Sequence, residues 1–209
     1  MFSDLTATEI LIVLVSILVS MAIHEAMHAY TAHWLGDSTA EDLGRLTLNP
    51  LKHVDLYTTI LLPLVLILAH LQPFFIAKPV PFNPSRVKYR EFGAALVGIA
   101  GPLTNLVLAT VAALIFRQVS STASTLVYNS LLLFTEVNVA FFIFNMIPIP
   151  PLDGSRLLYA VAPEWLQRIM QQIESAGFFM IIIFMLLLFP VIAPAINSIE
   201  TNILTFLLG

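Results

Sequence analysis

Long, nearly unbroken apolar runs decide what this chain can fold into. From about Glu9 to Tyr30 the only interruptions are Ser16, Ser20 and a His24-Glu25-His28 group. Phe92 to Phe116, Leu126 to Ile147 and Phe178 to Ile192 are comparably apolar. A membrane-spanning helix needs about 20 such residues, whereas a barrel strand needs only about ten, so the runs predict spanning helices. Charge supports this: 11% of the 209 residues are charged, against about a quarter in a soluble domain. The chain cannot cover a water-facing surface, which excludes an ordinary cytosolic domain. Nine Lys and Arg against thirteen Asp and Glu leave no basic patch for phosphates, so nucleic acid is not a partner. Cysteine is absent. Disulfides, thiolate metal sites and a thiol nucleophile are therefore excluded, and any metal must sit on His, Asp or Glu.

The stretches between the runs carry turn chemistry. The N-terminus has no Lys or Arg and so lacks the basic region of a signal peptide, which predicts a retained first helix. Gly36 to Asp55 is polar, and Leu43, Leu46 and Leu48 within it are spaced by Gly, Arg and Thr, which predicts a short strand or hairpin. Leu56 to Leu71 is apolar but short and contains Pro63. Gln72 to Pro84 holds Pro73, Pro79, Pro81 and Pro84 and cannot be one clean helix. Pro148 and Pro150-Pro151 stop the Leu126–Ile147 run. Apolar pairs four apart from Leu157 to Ile173 predict one amphipathic helix, with Trp165 at interfacial depth. Beyond Pro194 the tail is too short to assign. The expected fold is an all-α polytopic membrane protein forming a single membrane-embedded domain over 1–209. Its helical bundle carries a short β-hairpin or re-entrant region after the first helix, and a re-entrant hairpin before the helix containing Gly101-Pro102-Leu103-Thr104-Asn105.

His24-Glu25-Ala26-Met27-His28 is an H-E-x-x-H motif. On a helix the two histidines lie about 40° apart around the axis and can hold one zinc ion. Glu25 sits beside them, where its carboxylate can take a proton from water. The plain alternative is two packed histidines and a buried acid. Three ionisable groups within five residues of a membrane helix are expensive, however, and functional by default. Two histidines leave a catalytic zinc one protein ligand short. His33 points about 140° away from His28 and reads as interfacial. His53 and His70 fit on spacing alone. Asp153 has the best context, because it ends a Pro-rich break at membrane depth, and irregular backbone there is tolerated only beside a cavity or inside protein. Its alternative is a simple Asx turn with Gly154. Asn145 lies near the same break and shares a helix face with Asn138, which reads as an interhelical hydrogen-bonding residue. Ala94, Gly98, Gly101 and Asn105 form a small-residue stripe that permits close helix approach.

These residues together resemble the site-2 protease family of intramembrane zinc metalloproteases. The resemblance rests on His24-Glu25-x-x-His28, Gly101-Pro102-Leu103-x-Asn105, and Asn145 through Pro148 to Leu152-Asp153-Gly154. Gly44 to His53 and Lys78 to Pro84 look like a compact bacterial or archaeal branch, with no room for the PDZ or CBS module that family often carries. The resemblance implies that His24, His28 and Asp153 bind one zinc ion, that Glu25 is the catalytic base, and that Asn145 supports the substrate or transition state. Weaker substrate contacts are expected at Asn105, Leu46, Thr47 and Leu48, the last three as the edge of the expected strand. The implied reaction is hydrolysis of a peptide bond within or next to a transmembrane segment of a single-span membrane protein. A zinc carrier is the rival class; it needs the ligands but not Glu25.

A shared metal needs the ends of the first and fourth apolar runs at one depth, so those runs are parallel and Phe92–Phe116 is antiparallel. Leu56 to Tyr89 must then enter and leave on one side. That arrangement puts Arg45, Lys52, Lys78, Arg86, Lys88, Arg90, Arg156 and Arg168 together and leaves Arg117 alone. By the positive-inside rule the active-site mouth faces the cytoplasm of a prokaryotic cell membrane, and the N-terminus lies outside.

Overall fold

The computed structural model describes residues 6–68 and 75–209. Helix α1 (Ala7–Trp34) starts at a capping box: the Thr6 side chain accepts from the Glu9 N–H, and the Glu9 carboxylate accepts from the Thr6 N–H at 2.8 Å. A four-residue α2 (Thr39–Asp42) follows. A π-helical turn (Leu56–Leu61) opens onto α3 (Leu62–Leu68). Then come α4 (Glu91–Val119), α5 (Thr125–Asn145), α6 (Ser155–Val161) and α7 (Glu164–Ser175). Finally α8 (Phe178–Ile183) and α9 (Phe189–Leu208) are joined through a second π-helical turn. Four helical stretches are long and apolar enough to cross a membrane: α1, α4, α5 and the continuous Phe179–Leu208 helix. The chain is thus a multi-pass membrane protein with α1, α4 and α5 packed together.

The expected β-hairpin is absent: there is no strand among the described residues. Leu43–Leu48 is a tight coil, because its backbone groups are satisfied locally. Gly44 takes a left-handed φ of 64°, and its N–H bonds back to Glu41 at 2.8 Å while that of Arg45 bonds to Ala40 at 2.7 Å. The Thr47 carbonyl accepts from His53 Nε2 at 2.8 Å, a side-chain bond in place of a strand partner. The expected single helix over Leu157–Ile173 is two, since Pro163 caps α7 and prevents α6 from running through it. The tail beyond Pro194 is helical to Leu208, continuous with α9, which carries Pro190 in its first turn and Pro194 inside it.

Leu56–Leu68 is helical for only about 20 Å at about 1.5 Å per residue, short of the roughly 30 Å hydrocarbon core. The chain beyond it returns alongside: the Ile76 N–H reaches the Thr58 carbonyl, the Lys78 N–H reaches His53 at 2.8 Å, and the Thr59 hydroxyl donates to Ile76 at 2.6 Å. His70, the turn expected around it and Pro73 lie outside the described residues.

Candidate metal centre

The site forms where α1, α4 and the turn after α5 meet. His24 and His28, one helical turn apart, are both buried on the inner face of α1. Their backing is a glycine for a steric reason. A Cβ at Gly101 would stand 2.5 Å from His28 Nε2 and 2.6 Å from His24 Nε2, so any side chain there would displace both rings. Asp153 arrives from the other side. The Gly154 N–H donates to the Asn145 carbonyl at 2.6 Å, folding the Pro-rich turn back on the end of α5. A Cβ on Gly154 would collide with the Met146 carbonyl oxygen, so this fold-back needs glycine.

Three donor atoms converge as a result. His24 Nε2 lies 3.0 Å from His28 Nε2 and 3.0 Å from Asp153 Oδ2, and His28 Nε2 lies 3.3 Å from the same oxygen. His28 Nδ1 donates to the Val97 carbonyl at 2.7 Å. A carbonyl only accepts, so Nδ1 carries the proton, and in the neutral ring His28 Nε2 presents a lone pair toward the other two donor atoms. With both rings in the Nδ1–H form, two imidazole lone pairs and a carboxylate oxygen face one point and repel unless a cation lies among them. This donor set suits zinc, with three protein ligands and a fourth position for water or substrate. Asp153 keeps a quarter of its side chain exposed while the histidines keep a tenth or less, so the cluster opens on the Asp153 side.

Glu25 is buried beside the histidines but is not one of the converging donors. Its Oε2 accepts the Val80 N–H at 2.9 Å. Val80 sits in an extended strap, Lys78–Asn83, in which Pro79 and Pro81 have no N–H to give. Both ends of the strap are tied down. Arg45 donates to the Lys78 carbonyl at 2.7 Å, and the Asn83 N–H donates to Asp37 at 2.6 Å. Asp37 is fully buried. Burial pushes its carboxyl up, but hydrogen bonds from Thr39 and the Asn83 N–H outweigh this and hold it below the usual range. Arg156 lies over the Phe82 ring of the strap, 5.5 Å from its centroid, and pairs with Glu174 at 3.2 Å.

The other expected residues are spread wider. Asn145 stands at the break, with its amide donating to the Phe141 carbonyl at 3.0 Å. Asn105 is fully buried behind His24, its Oδ1 2.6 Å from His24 Nδ1. Leu46 packs on Ala29, Ala40 and Val80, the Thr47 carbonyl is taken by His53, and Leu48 is exposed. His53 is fully buried and separate from the three-donor cluster, and His33 pairs with Glu41 at 3.2 Å. Sequence reasoning missed the Val80 N–H. The available signal was Pro79-Val80-Pro81 itself, which enforces extension and leaves Val80 as the only donor of the three.

Comparison with known proteins agrees with this chemistry. The sequence profile of peptidase family M50 matches residues 116–189, a segment that includes Asp153. "Putative zinc metalloprotease YwhC" of Bacillus subtilis is 35% identical over 176 residues, covering 81% of this chain and 77% of the relative. "Putative zinc metalloprotease Rip2" of Mycolicibacterium smegmatis is 30% identical over 187 residues, covering 90% and 69%. Its Mycobacterium tuberculosis counterpart is 27% identical over 187 residues, covering 87% and 66%. No solved structure matches significantly. The H-E-x-x-H pair, the carboxylate brought to it by the Pro-rich turn and the likeness to these relatives over most of their length place the chain in peptidase family M50, the site-2 protease family.

Proposed function

We propose that residues 1–209 act as one membrane-embedded zinc endopeptidase, cutting a peptide bond within or next to the transmembrane segment of single-span membrane proteins. M50 proteins are intramembrane zinc metalloproteases. In our reading His24, His28 and Asp153 hold the zinc, and Glu25 is the base. The observation that carries it is the convergence of three donors beside a fourth ionisable group, Glu25, which is held back from the ligand set by Val80. A carrier has no use for that fourth group. A bound zinc ion supplies Lewis-acid polarisation of the scissile carbonyl and acidifies water. Glu25 then takes a proton on the oxygen that Val80 leaves free and passes it to the leaving nitrogen. The apolar walls of α1 and α4 limit water to the Asp153 side, so each charge at the site acts in a low-dielectric setting. Asn145, at the break, supports the substrate or transition state. Within Leu46–Leu48, the exposed Leu48 is the side chain free to meet a substrate.

Purified protein should cleave a reconstituted single-span substrate at a site that mass spectrometry maps to its membrane segment or immediate flank. Chelation should abolish cleavage and zinc should restore it. Cleavage that persists after zinc is stripped would contradict the reading.

We further infer a prokaryotic cell membrane, an outside N-terminus and a cytoplasmic site mouth. Parallel α1 and α5, antiparallel α4 and the too-short Leu56–Leu68 helix put eight of nine basic residues on the site side. The chain has no native cysteine, so introduced ones report cleanly. Cysteines at Lys52 and Arg86 should label from the cytoplasm and one at Ser121 from outside. Labelling of Lys52 and Arg86 from opposite sides refutes the orientation.

A further inference from the structure

Behind His24, on the side away from Asp153, two asparagines form a chain through the bundle interior. His24 Nδ1 is 2.6 Å from Asn105 Oδ1, Asn105 Nδ2 donates to Asn138 Oδ1 at 2.8 Å, and Asn138 Nδ2 donates to the Phe134 carbonyl at 2.9 Å and to Ser20 Oγ at 2.8 Å. Asn105, Asn138 and Ser20 are completely buried. An amide side chain can turn over and exchange its oxygen for its nitrogen, so each link has a direction that something must set. Here the backbone sets it. The Phe134 carbonyl can only accept, so Asn138 must present Nδ2 to α5 and Oδ1 to Asn105. Asn105 must then present Nδ2 to Asn138 and Oδ1 to His24. An acceptor facing His24 Nδ1 requires the proton there, and in the neutral ring this leaves the Nε2 lone pair turned toward His28 and Asp153.

We propose that Asn138 and Asn105 are positioning residues, a buried two-amide relay that transmits the polarity of the Phe134 carbonyl to His24 and locks the ring as the Nδ1–H, metal-ready tautomer. The relay rests on the reading of His24 as a zinc ligand. It assigns the two histidines different supports. His28 is fixed directly by the Val97 backbone, which no side-chain substitution removes, whereas His24 depends on two side chains from α4 and α5. The metal site is thereby coupled to the packing of α1, α4 and α5.

The test uses the full chain in detergent with zinc alone as the probe, its affinity read by competition with a chelating dye and thermal unfolding followed in parallel. Asn105→Leu keeps a similar branched shape but removes the acceptor, and should weaken zinc about tenfold or more, as loss of an outer-shell partner does. Asn105→Asp keeps an acceptor on His24 and should hold zinc within about threefold of wild type, even with a lower melting temperature. Asn138→Leu frees the Asn105 amide to turn and should weaken zinc about threefold or more. A role in packing alone gives the reverse order, because an apolar bundle accepts Leu more readily than a carboxylate. Wild-type affinity in both Leu variants, or a loss in Asn105→Asp as large as theirs, overturns the relay. Should Asn105→Leu not fold, Asn138→Leu against Asn105→Asp gives the same contrast. His24→Ala separates the two levels: wild-type zinc affinity in that variant means His24 is no ligand, and the reading beneath the relay is what fails.

Discussion

The α1–α4–α5 seam and the Phe179–Leu208 helix are both long and apolar, yet they are built on different terms. Half of the apolar window of α1 is buried inside the protein, against 6% for Phe179–Leu208. In a bilayer, apolar surface gains little by leaving lipid, so close packing and hydrogen bonds hold helices together. The seam has both. Ala32 of α1 packs on Val97 of α4, Gly101 of α4 leaves room for the two imidazole rings of α1, and Ser20, Asn105 and Asn138 bond across the gap. The C-terminal helix touches the bundle mainly through apolar side chains, Ile196, Ile203, Leu204 and Leu207 against Ala109, Val139 and Ile143, and Phe184 and Phe189 against Phe144, with one hydrogen bond, from Arg117 to the Phe206 carbonyl at its end. Ionisable groups can be held in register only where neighbours fix them, and the metal centre sits in the seam for that reason.

The largest effect that breaks this contrast should come from a single methyl group. Gly101→Ala puts a Cβ where both imidazole rings now lie. A displacement of about 1 Å at a reacting centre costs about a hundredfold, so cleavage should fall that far, with zinc affinity weakened about tenfold or more. Leu187→Ala, at a position 71% exposed on the C-terminal helix, removes far more side chain and should change both by less than about twofold, as surface substitutions do. Measuring zinc and cleavage rate for the pair checks this; equal effects would erase the distinction between the regions.

A smaller effect sharpens the picture inside the seam. Val80→Pro removes the one N–H that holds Glu25 and fits the extended strap between Pro79 and Pro81. Hydrogen bonds to charged groups contribute about 1.5–3 kcal/mol, so cleavage should fall about tenfold or more while zinc content stays at the wild-type level. Loss of zinc together with activity would mean that the strap supports the ligands and not the base.

Much of this was legible in the residues. Apolar length identifies α1, α4 and α5 because a run of about 20 apolar residues matches the hydrocarbon thickness, where a helix satisfies its own backbone. The i, i+4 spacing of His24 and His28 makes the candidate ligand pair visible, and the Pro-rich break makes Asp153 stand out. What stayed hidden is partly local geometry that overrides a pattern and partly contacts between distant segments. Leu43, Leu46 and Leu48, spaced by Gly, Arg and Thr, suit a short strand, but Gly44 and the His53 bond make the segment a coil. Pro163 splits an amphipathic pattern whose periodicity runs straight through it. The Val80 N–H meets Glu25 across 55 positions, and Asn138 faces Asn105 across 33; no local pattern encodes either pairing.

The central claim is that Glu25 serves as a base beside a metal it does not ligate. Glu25→Gln keeps the shape and the bond from Val80 but cannot take a proton at neutral pH. With the protein reconstituted beside a single-span substrate, cleavage rate and zinc content should be read on the same sample. Zinc should remain at the wild-type level while cleavage falls by at least about a hundredfold, the lower end of what a positioned general base contributes. Wild-type cleavage with normal zinc would contradict the account, and loss of zinc with loss of cleavage would make Glu25 a ligand.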